Sequence, residues 1–521
     1  MIKSRREILT GLGALSLAGC ASTGGPKTLQ LGQSKFILGD LFKLGVASGD
    51  PVSDGFVIWT RLAPNPLAPD GGISDPTPVT WQVSEDENFS RVLKSGEVTA
   101  TADWAHSVHV EVQGLQPLRP YYYRFIANGL NSPTGRAKTA PILGSAVDKL
   151  RFGIASCQHY EQGFFNAYHD MVANDPDLIL HMGDYIYEAS WGPQVRRQTA
   201  TDAMTLADYR QIHAQYKTDK GLQAAHAHAP WLMIWDDHEF VNDYAGFHDE
   251  NYMPEAQVRA RRRAAYKAYY EHMPVRLRSK PRGDHMRLYD YFHYGSLMTM
   301  ALTDGRQYRD DQACQTPDDG GGRPVPRATC PQFDDPNRSM FGKEQERWLM
   351  PSFARSRATW EVLAQPTLFS RLFQNDRDGN AAAWNDGWDG YTATRDMILN
   401  AVQQRRPKNF ISLGGDMHSW WQADLKADYN DPNSQTLGTE FVTTSITAHS
   451  YNYRRFQRML DDNPHIHFVD DRKRGYSLVD VTPERWVVQM KEMATIYEPK
   501  APAVTAKKYV VESGQAKAME A

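Results

Sequence analysis

Leu178-Ile179-Leu180-His181-Met182 runs directly into Gly183-Asp184-Tyr185-Ile186-Tyr187-Glu188. A short apolar run that stops at a glycine reads as a buried strand, and here a carboxylate and a phenol follow its end. The pattern recurs three times. Leu150 to Ala155 leads into Ser156-Cys157-Gln158, Trp231 to Ile234 into Trp235-Asp236-Asp237-His238-Glu239, and Phe410 to Leu413 into Gly415-Asp416-Met417-His418. In open α/β sheets, ligand sites gather beyond the carboxyl ends of strands. Four strand ends therefore bring a thiol, a phenol, several carboxylates and two imidazoles to one rim. This is the outline of a metal site that holds more than one metal.

The rest of the chain divides around this rim. From Phe42 to Thr139 short alternating runs are broken by Gly, Pro and Asp, and Phe56 to Leu62, Val79 to Val83 and Val108 to Val112 are the clearest strands. Gly114-Leu115-Gln116-Pro117 before Tyr121-Tyr122-Tyr123 is similar to the tyrosine corner of an immunoglobulin or fibronectin-like sandwich, so residues 42–140 are expected to form an N-terminal β-sandwich domain. After a linker near Ala140 to Lys149, strands alternate with helical stretches such as Val258 to His272 and Arg395 to Gln404. Residues 150–505 thus read as an α/β sandwich and 506–521 as a C-terminal tail or helix.

The N-terminus reads as an address. Ser4-Arg5-Arg6-Glu7-Ile8-Leu9 is a twin-arginine pattern, and the apolar stretch Ile8 to Ala18 is too short to span a bilayer. Leu17-Ala18-Gly19-Cys20 has the form of a lipobox with Cys20 as the lipidated residue, which makes 1–20 a signal and 21–41 a tether. The expected partners are the twin-arginine export machinery and a membrane reached through the lipid anchor. The location is periplasmic or at the cell surface, and the chain is expected to be a monomer. The 521-residue chain has a formal charge of −4, and removal of the signal leaves about −6. That balance argues against nucleic acid, whose non-specific affinity comes from phosphate neutralisation. Cys314 and Cys330 bracket a loop rich in Asp, Gly and Pro, and are expected to pair in an oxidising compartment. Cys157 is left as a thiol among the candidate ligands.

Thiolate and phenolate together are an uncommon donor pair. Thiolate alone would point to zinc, but the Tyr187 phenolate and the surplus carboxylates favour iron(III). Asp184 lies at the same strand end as Tyr187, and Asp416 and His418 share a face if the chain there is extended. Asp237, with Asp236 or Asn242, offers oxygen donors for a hard ion such as calcium or magnesium. Two such metals suit in-line displacement at phosphorus. His238 is expected to protonate the leaving oxygen or hold the phosphoryl group, and Arg306 to clamp a phosphoryl oxygen through its fork. By contrast, His226 and His228 read as an exposed helix, Arg261-Arg262-Arg263 as a solvated helix face, and Gly320-Gly321-Gly322 as a loop.

The motifs also occur in a familiar order. Phe42-Lys43-Leu44-Gly45-Val46-Ala47-Ser48-Gly49-Asp50-Pro51, Ser156-Cys157-Gln158, the Gly183 to Glu188 run, Trp235 to Glu239, Arg306-Gln307-Tyr308-Arg309, Trp388-Asp389-Gly390-Tyr391 and Gly415 to Ser419 resemble those of the PhoD-type alkaline phosphatases and phosphodiesterases, within the metallophosphoesterase group. The resemblance covers nearly all of the mature chain. It implies a metallophosphoesterase-like α/β sandwich with Fe(3+) and Ca(2+) held by Cys157, Asp184, Tyr187, Asp237, Asp416 and His418. It implies hydrolysis of phosphate monoesters, and of diesters, by a metal-activated hydroxide at alkaline pH for phosphate scavenging. Gly305 departs from the pattern, since a threonine is expected before Arg306. The alternatives are a phosphodiesterase or phospholipase D-like hydrolase, and a surface-binding lipoprotein with a degenerate catalytic domain.

Overall fold

Strands in the middle of two sheets are apolar along their whole length, because both of their faces are covered. The computed structural model describes residues 40–521 except 356, 376–378, 432 and 451–452, and the backbone of a short hairpin, Gln30–Leu31 with Ser34–Lys35. The signal at 1–20 and most of the tether at 21–41 lie outside the described residues.

The first strands are β1 (Val46–Val52), β2 (Gly55–Arg61), β3 (Thr77–Ser84), β4 (Val92–Ala100), β5 (Ser107–Val112), β6 (Pro120–Ala127) and β7 (Gly135–Lys138). They make the two layers of a sandwich, β1-β2-β5 and β7-β6-β3-β4. The tyrosine corner is present: Gln116 N donates to the Tyr121 hydroxyl at 2.9 Å.

Next come β8 (Leu150–Ala155), β9 (Leu178–Met182) and β10 (Trp231–Ile234), parallel and in this order. At Trp231↔Gly49, β10 pairs in parallel with β1, so one layer of the N-terminal sandwich continues the central sheet. This arrangement was not legible in the sequence.

The second sheet holds β11 (Asp290–Tyr294), β12 (Met298–Leu302), β13 (Trp360–Ala364), β14 (Phe410–Gly414), β15 (Trp420–Lys426), β16 (Thr436–Val442) and β17 (Ile466–Asp470), in the order β11-β12-β13-β14-β16-β15-β17. The chain then returns to the first sheet through β18 (Gly475–Val481), which lies antiparallel to β8, and continues with β19 (Arg485–Met493) and β20 (Ala503–Glu512). The expected tail or helix at 506–521 is corrected: it is strand, with Met519–Glu520 pairing back onto β20. Alternation explains this, since Tyr509 and Val511 are buried while Lys508 beside them is exposed.

Side-chain alternation also sets the layers. Phe152, Ile154, Leu178, Leu180 and Met182 pack against Met298, Met300, Leu302, Val362 and Leu413 between the two sheets. The outer face of the first sheet is covered by α1 (Asn166–Ala173), α2 (Leu206–Tyr216), α3 (Lys220–His228) and α4 (Glu255–His272). The second sheet is covered by α5 (Gly342–Arg355) and α6 (Thr392–Arg405). The result is the expected α/β sandwich of two sheets between helices.

Two surface expectations are corrected here. His226 is buried at 2% exposure, stacked on Trp231 at 3.9 Å, because the face of α3 that carries Leu222 and Ala225 packs on β10. Arg261 and Arg262 are also buried, each with its Nε donating to a backbone carbonyl, of Ala203 and Asp284 respectively. The loop cysteines behave as expected: Cys314 and Cys330 form a disulfide, and Cys157 is a buried free thiol.

Candidate metal centre

Each strand end is bent sharply where its polar side chain begins. Cys157, Asp184, Asp416 and His418 all have left-handed backbone, with φ between 48° and 56°. For residues other than glycine this costs of order 1–3 kcal/mol each, and persists only where the surroundings enforce it. The enforcement is visible in the backbone: Cys157 N donates to Gly183 O at 3.1 Å, Gln158 N to Asp184 O at 3.0 Å, and Ile446 N to Ser156 O at 2.8 Å. The glycines of the two Gly-Asp motifs are required by close approach. A Cβ on Gly183, itself at φ +102°, would lie 2.6 Å from Asp236 N, and one on Gly415 would lie 2.4 Å from Ser156 Oγ.

These bends converge the donors. Ligand atoms of Cys157, Asp184 and His418 lie within 4.8 Å of one another, all buried. The Tyr187 hydroxyl joins them, 2.9 Å from Asp184 Oδ2 and 3.0 Å from His418 Nε2. His418 Nδ1 is 2.7 Å from the His449 carbonyl, which fixes the proton on Nδ1 and directs the Nε2 lone pair inward. Burial and the neighbouring Arg474 hold this imidazole neutral, with its pKa lowered to about 3. The Tyr187 ring is stacked with His159 at 4.4 Å and lies against the tilted ring of His238 at 4.2 Å.

A second group adjoins the first through Asp184, which also lies within 4.8 Å of ligand atoms of Asp237 and His238. Asp184 Oδ1 is buried without a hydrogen-bond partner, an expensive state that a cation would relieve. Burial raises the carboxyl of Asp184 well above the usual range and that of Asp416 to about 6. Burial and the Asp184 charge likewise push up the Cys157 thiol. Asp237 is equally buried, yet Arg306 and His238 hold it below the usual carboxylate range. Asp416 Oδ2 accepts from the Thr367 hydroxyl at 2.7 Å. Crowded, desolvated anions of this kind fit a centre built for cations.

The structure places Arg306 differently from the expected clamp. It is 3% exposed; its Nε and Nη2 grip Asp236 at 2.5 and 3.2 Å, and its Nη1 grips Asp386 at 2.9 Å. Its fork is therefore committed to protein carboxylates and is not offered to a substrate. Asp236, in turn, is occupied by Arg306. The Gly305 departure is harmless, since a Cβ there would come no nearer than 3.5 Å to Pro366.

His238 lies against the cleft with Nδ1 2.7 Å from Glu188 Oε2. Burial opposes its charge, but Glu188, Asp237 and Asp184 outweigh burial and raise its pKa well above the usual histidine value. Asn242 also lines the cleft, donating from Nδ2 to Glu250 at 2.7 Å and from its backbone to Glu188 at 2.8 Å.

Several residues went unassigned in the sequence. Glu239 accepts from the backbone N–H groups of Asp184, Tyr185 and Asp236 at 3.1, 2.6 and 3.0 Å, tying two ligand-bearing turns together. Arg474 donates to the carbonyls of His418 and Ala448 at 2.9 and 2.7 Å. Glu239 ends the Trp235 to Glu239 stretch, and its position three residues after Asp236 is the signal that the sequence offers. Arg474 gave none.

The cleft over this centre has a volume of about 530 Å³; Trp191, Leu368, Leu372, Trp384 and Phe456 form apolar walls beside the polar floor. With this geometry in view, the sequence pattern of the PhoD-like phosphatases matches residues 152–490, and that of their N-terminal domain matches residues 33–141. The chain belongs to the PhoD-like phosphatase family. It is 42% identical over 485 residues to alkaline phosphatase D of Bacillus subtilis (strain 168), covering 91% of this chain and 81% of that protein. A solved PhoD structure matches it with a TM-score of 0.87 at 41% identity, over 92% of each chain. This PhoD-like chain therefore keeps both domains of the family, and its converging thiol, phenol, imidazole and carboxylates stand at the strand ends of the matched region.

Proposed function

We propose that this PhoD-like phosphatase is an exported alkaline phosphatase that cleaves phosphate monoesters, tethered through Cys20 and serving phosphate scavenging. The observation that carries the catalytic part is the convergence of Cys157, Asp184, Tyr187 and His418, with Asp184 shared by a second group containing Asp237. The first set, with thiolate and phenolate, suits iron(III). The oxygen donors of Asp237, Asp416 and the shared Asp184 suit calcium. When bound, these ions supply Lewis acidity toward the phosphoryl oxygens and the attacking water.

The chain's own groups do the rest. Glu188 orients His238 through Nδ1, so its Nε2–H is the proton donor for the leaving oxygen. Arg306 acts as a positioning residue, fixing Asp236 and hence the neighbouring Asp237. Thr367 and the His449 carbonyl orient Asp416 and His418. The apolar walls keep bulk water from the reacting centre and strengthen every charge interaction there.

A second reading, hydrolysis of phosphodiesters, is favoured by the apolar walls, which provide room for a second substituent on phosphorus. The binding-lipoprotein reading is disfavoured because Cys157, Asp184, Tyr187 and His418 converge in one buried group and Asp237 adjoins it through Asp184. For export, the support is the twin-arginine pattern and Cys20, with no helix among the described residues long and apolar enough to cross a membrane.

The experiment is hydrolysis of a chromogenic monoester and the matching diester at alkaline pH, with calcium and with a calcium chelator. Wild type is compared with Cys157→Ala and Tyr187→Phe, and visible absorption is recorded. Calcium-dependent turnover, lost in Cys157→Ala, with a visible band lost in Tyr187→Phe, is expected. A colourless wild type with full activity would remove iron(III)–phenolate from the site, and turnover indifferent to the chelator would remove calcium. The monoester-to-diester ratio ranks the two readings.

A further inference from the structure

Exposed apolar side chains are not spread evenly over this molecule. Among the described residues ten large ones are exposed, and four of these are neighbours: Val52 at 38%, Leu118 at 42%, Ile142 at 58% and Leu143 at 67%. Backbone hydrogen bonds join their segments, with Ala140 N donating to Val52 O at 3.0 Å and Leu118 N to Ala140 O at 3.2 Å. Leu143 continues into a groove of about 790 Å³ whose far wall includes Tyr291, Trp348 and Pro351. Trp348 lies stacked on Tyr291 at 4.2 Å. The charged side chains lining the groove are Arg347 and Arg357, and no carboxylate is among the described residues that line it. Around the groove Arg119, next to Leu118, and Lys149 are exposed, as are Asp54 and Asp148, so the net positive charge is concentrated in the groove itself.

The topology fixes where this patch sits. Gly295 and Ser296 of the groove precede β12, and Arg357 and Ala358 precede β13. The opposite ends of the same strands lead to Arg306 and Thr367 beside the metal centre. A five-residue strand spans roughly 16 Å, so the end of the groove at Gly295 and Arg357 lies at the rim opposite the centre, while its wall runs along β11 up to Tyr291, which pairs with Ala301.

We propose that this base is a docking face for an anionic lipid surface. Ile142 and Leu143 enter the interfacial layer, Trp348 lies at headgroup depth, and Arg347 and Arg357 pair with lipid phosphates. Charge decides between this occupant and a second copy of the chain, because two copies would set these arginines against each other whereas an anionic bilayer complements them. The proposal does not depend on the hydrolytic reading.

The test is co-sedimentation of the full chain carrying Cys20→Ser, so that no acyl chain contributes, with phosphatidylcholine vesicles with and without phosphatidylglycerol. The same background is tested with Ile142→Ser/Leu143→Ser and with Arg347→Glu/Arg357→Glu. All three proteins carry the same N-terminus, so differences between them read the face alone. Tighter binding to the anionic vesicles is expected, weakening with salt and falling by at least about fivefold per arginine reversed. Loss on Ile142→Ser/Leu143→Ser is expected too, while turnover of a soluble ester stays unchanged and shows that the variants are folded. Binding equal in all three proteins, or absent from both vesicle types, overturns the proposal. A concentration-dependent dimer abolished by the same variants, without vesicle binding, overturns it in favour of a second copy.

Discussion

At the scale of single residues, the centre depends on side chains that touch no substrate. Glu239 holds three backbone N–H groups from two ligand turns. Leaving such donors buried and unmet costs about 1–3 kcal/mol each. Glu239→Ala is therefore expected to lose about 3 kcal/mol or more of stability, with Glu239→Gln milder because an acceptor oxygen remains; urea unfolding measures both. Arg306 separates a positioning role from a clamp. Lysine cannot reproduce two forked contacts, so Arg306→Lys is expected to lower kcat by about 100-fold while KM moves less than about threefold. A large rise in KM with kcat preserved would restore the clamp. The ligand types were readable because each stands alone after an apolar run. The fate of Arg306 was not, because its partner Asp386 is 80 residues away in sequence.

At the scale of elements, the turns carry the demand for glycine and the strands carry the core. Gly183→Ala would place a methyl group 2.6 Å from Asp236 N at a backbone angle of φ +102°. It is expected to cost about 2–3 kcal/mol and to lower the metal-to-protein ratio measured on purified enzyme. The C-terminal strand is equally structural. Removing residues 503–521 strips β20 from β19 and takes away the buried Tyr509 and Val511. An uncovered edge strand invites pairing with other chains, so the truncated protein is expected to aggregate on expression, seen as loss of the wild-type peak to the void volume in size-exclusion chromatography. A register of nine pairs between β19 and β20 is a long-range fact. The last residues alternate so weakly in sequence that a short window there reads as tail or helix.

Over the whole molecule, buried histidines set the acid limit. Burial lowers His109 to about 4 and His181 to about 3, and lowers His213, His226 and His272 as well. These folded values lie below the unfolded one, so the unfolded chain takes up protons first. Their stability contribution is complete above about pH 6.5 and is lost as pH falls, at about 1.4 kcal/mol per pH unit for each histidine. The raised carboxyls of Asp184 and Asp416 work in the opposite direction, so the histidine part is read as a difference: the unfolding midpoint in urea is expected to fall more from pH 7 to pH 5 in wild type than in His181→Gln. An equal fall in the two proteins would contradict the buried neutral state. What the sequence by itself determined was the set of strand ends, their donors and the β-rich start, because each is written in a short window of apolar run, bend and polar residue. Only the tertiary structure decided that the N-terminal sandwich shares its sheet with β10, that the chain's end is a strand, that His226, Arg261 and Arg262 are interior, and that Arg306 serves Asp236 and Asp386. Each of those outcomes rests on contacts between distant segments, where the free energy of burying a group depends on what the rest of the chain places beside it.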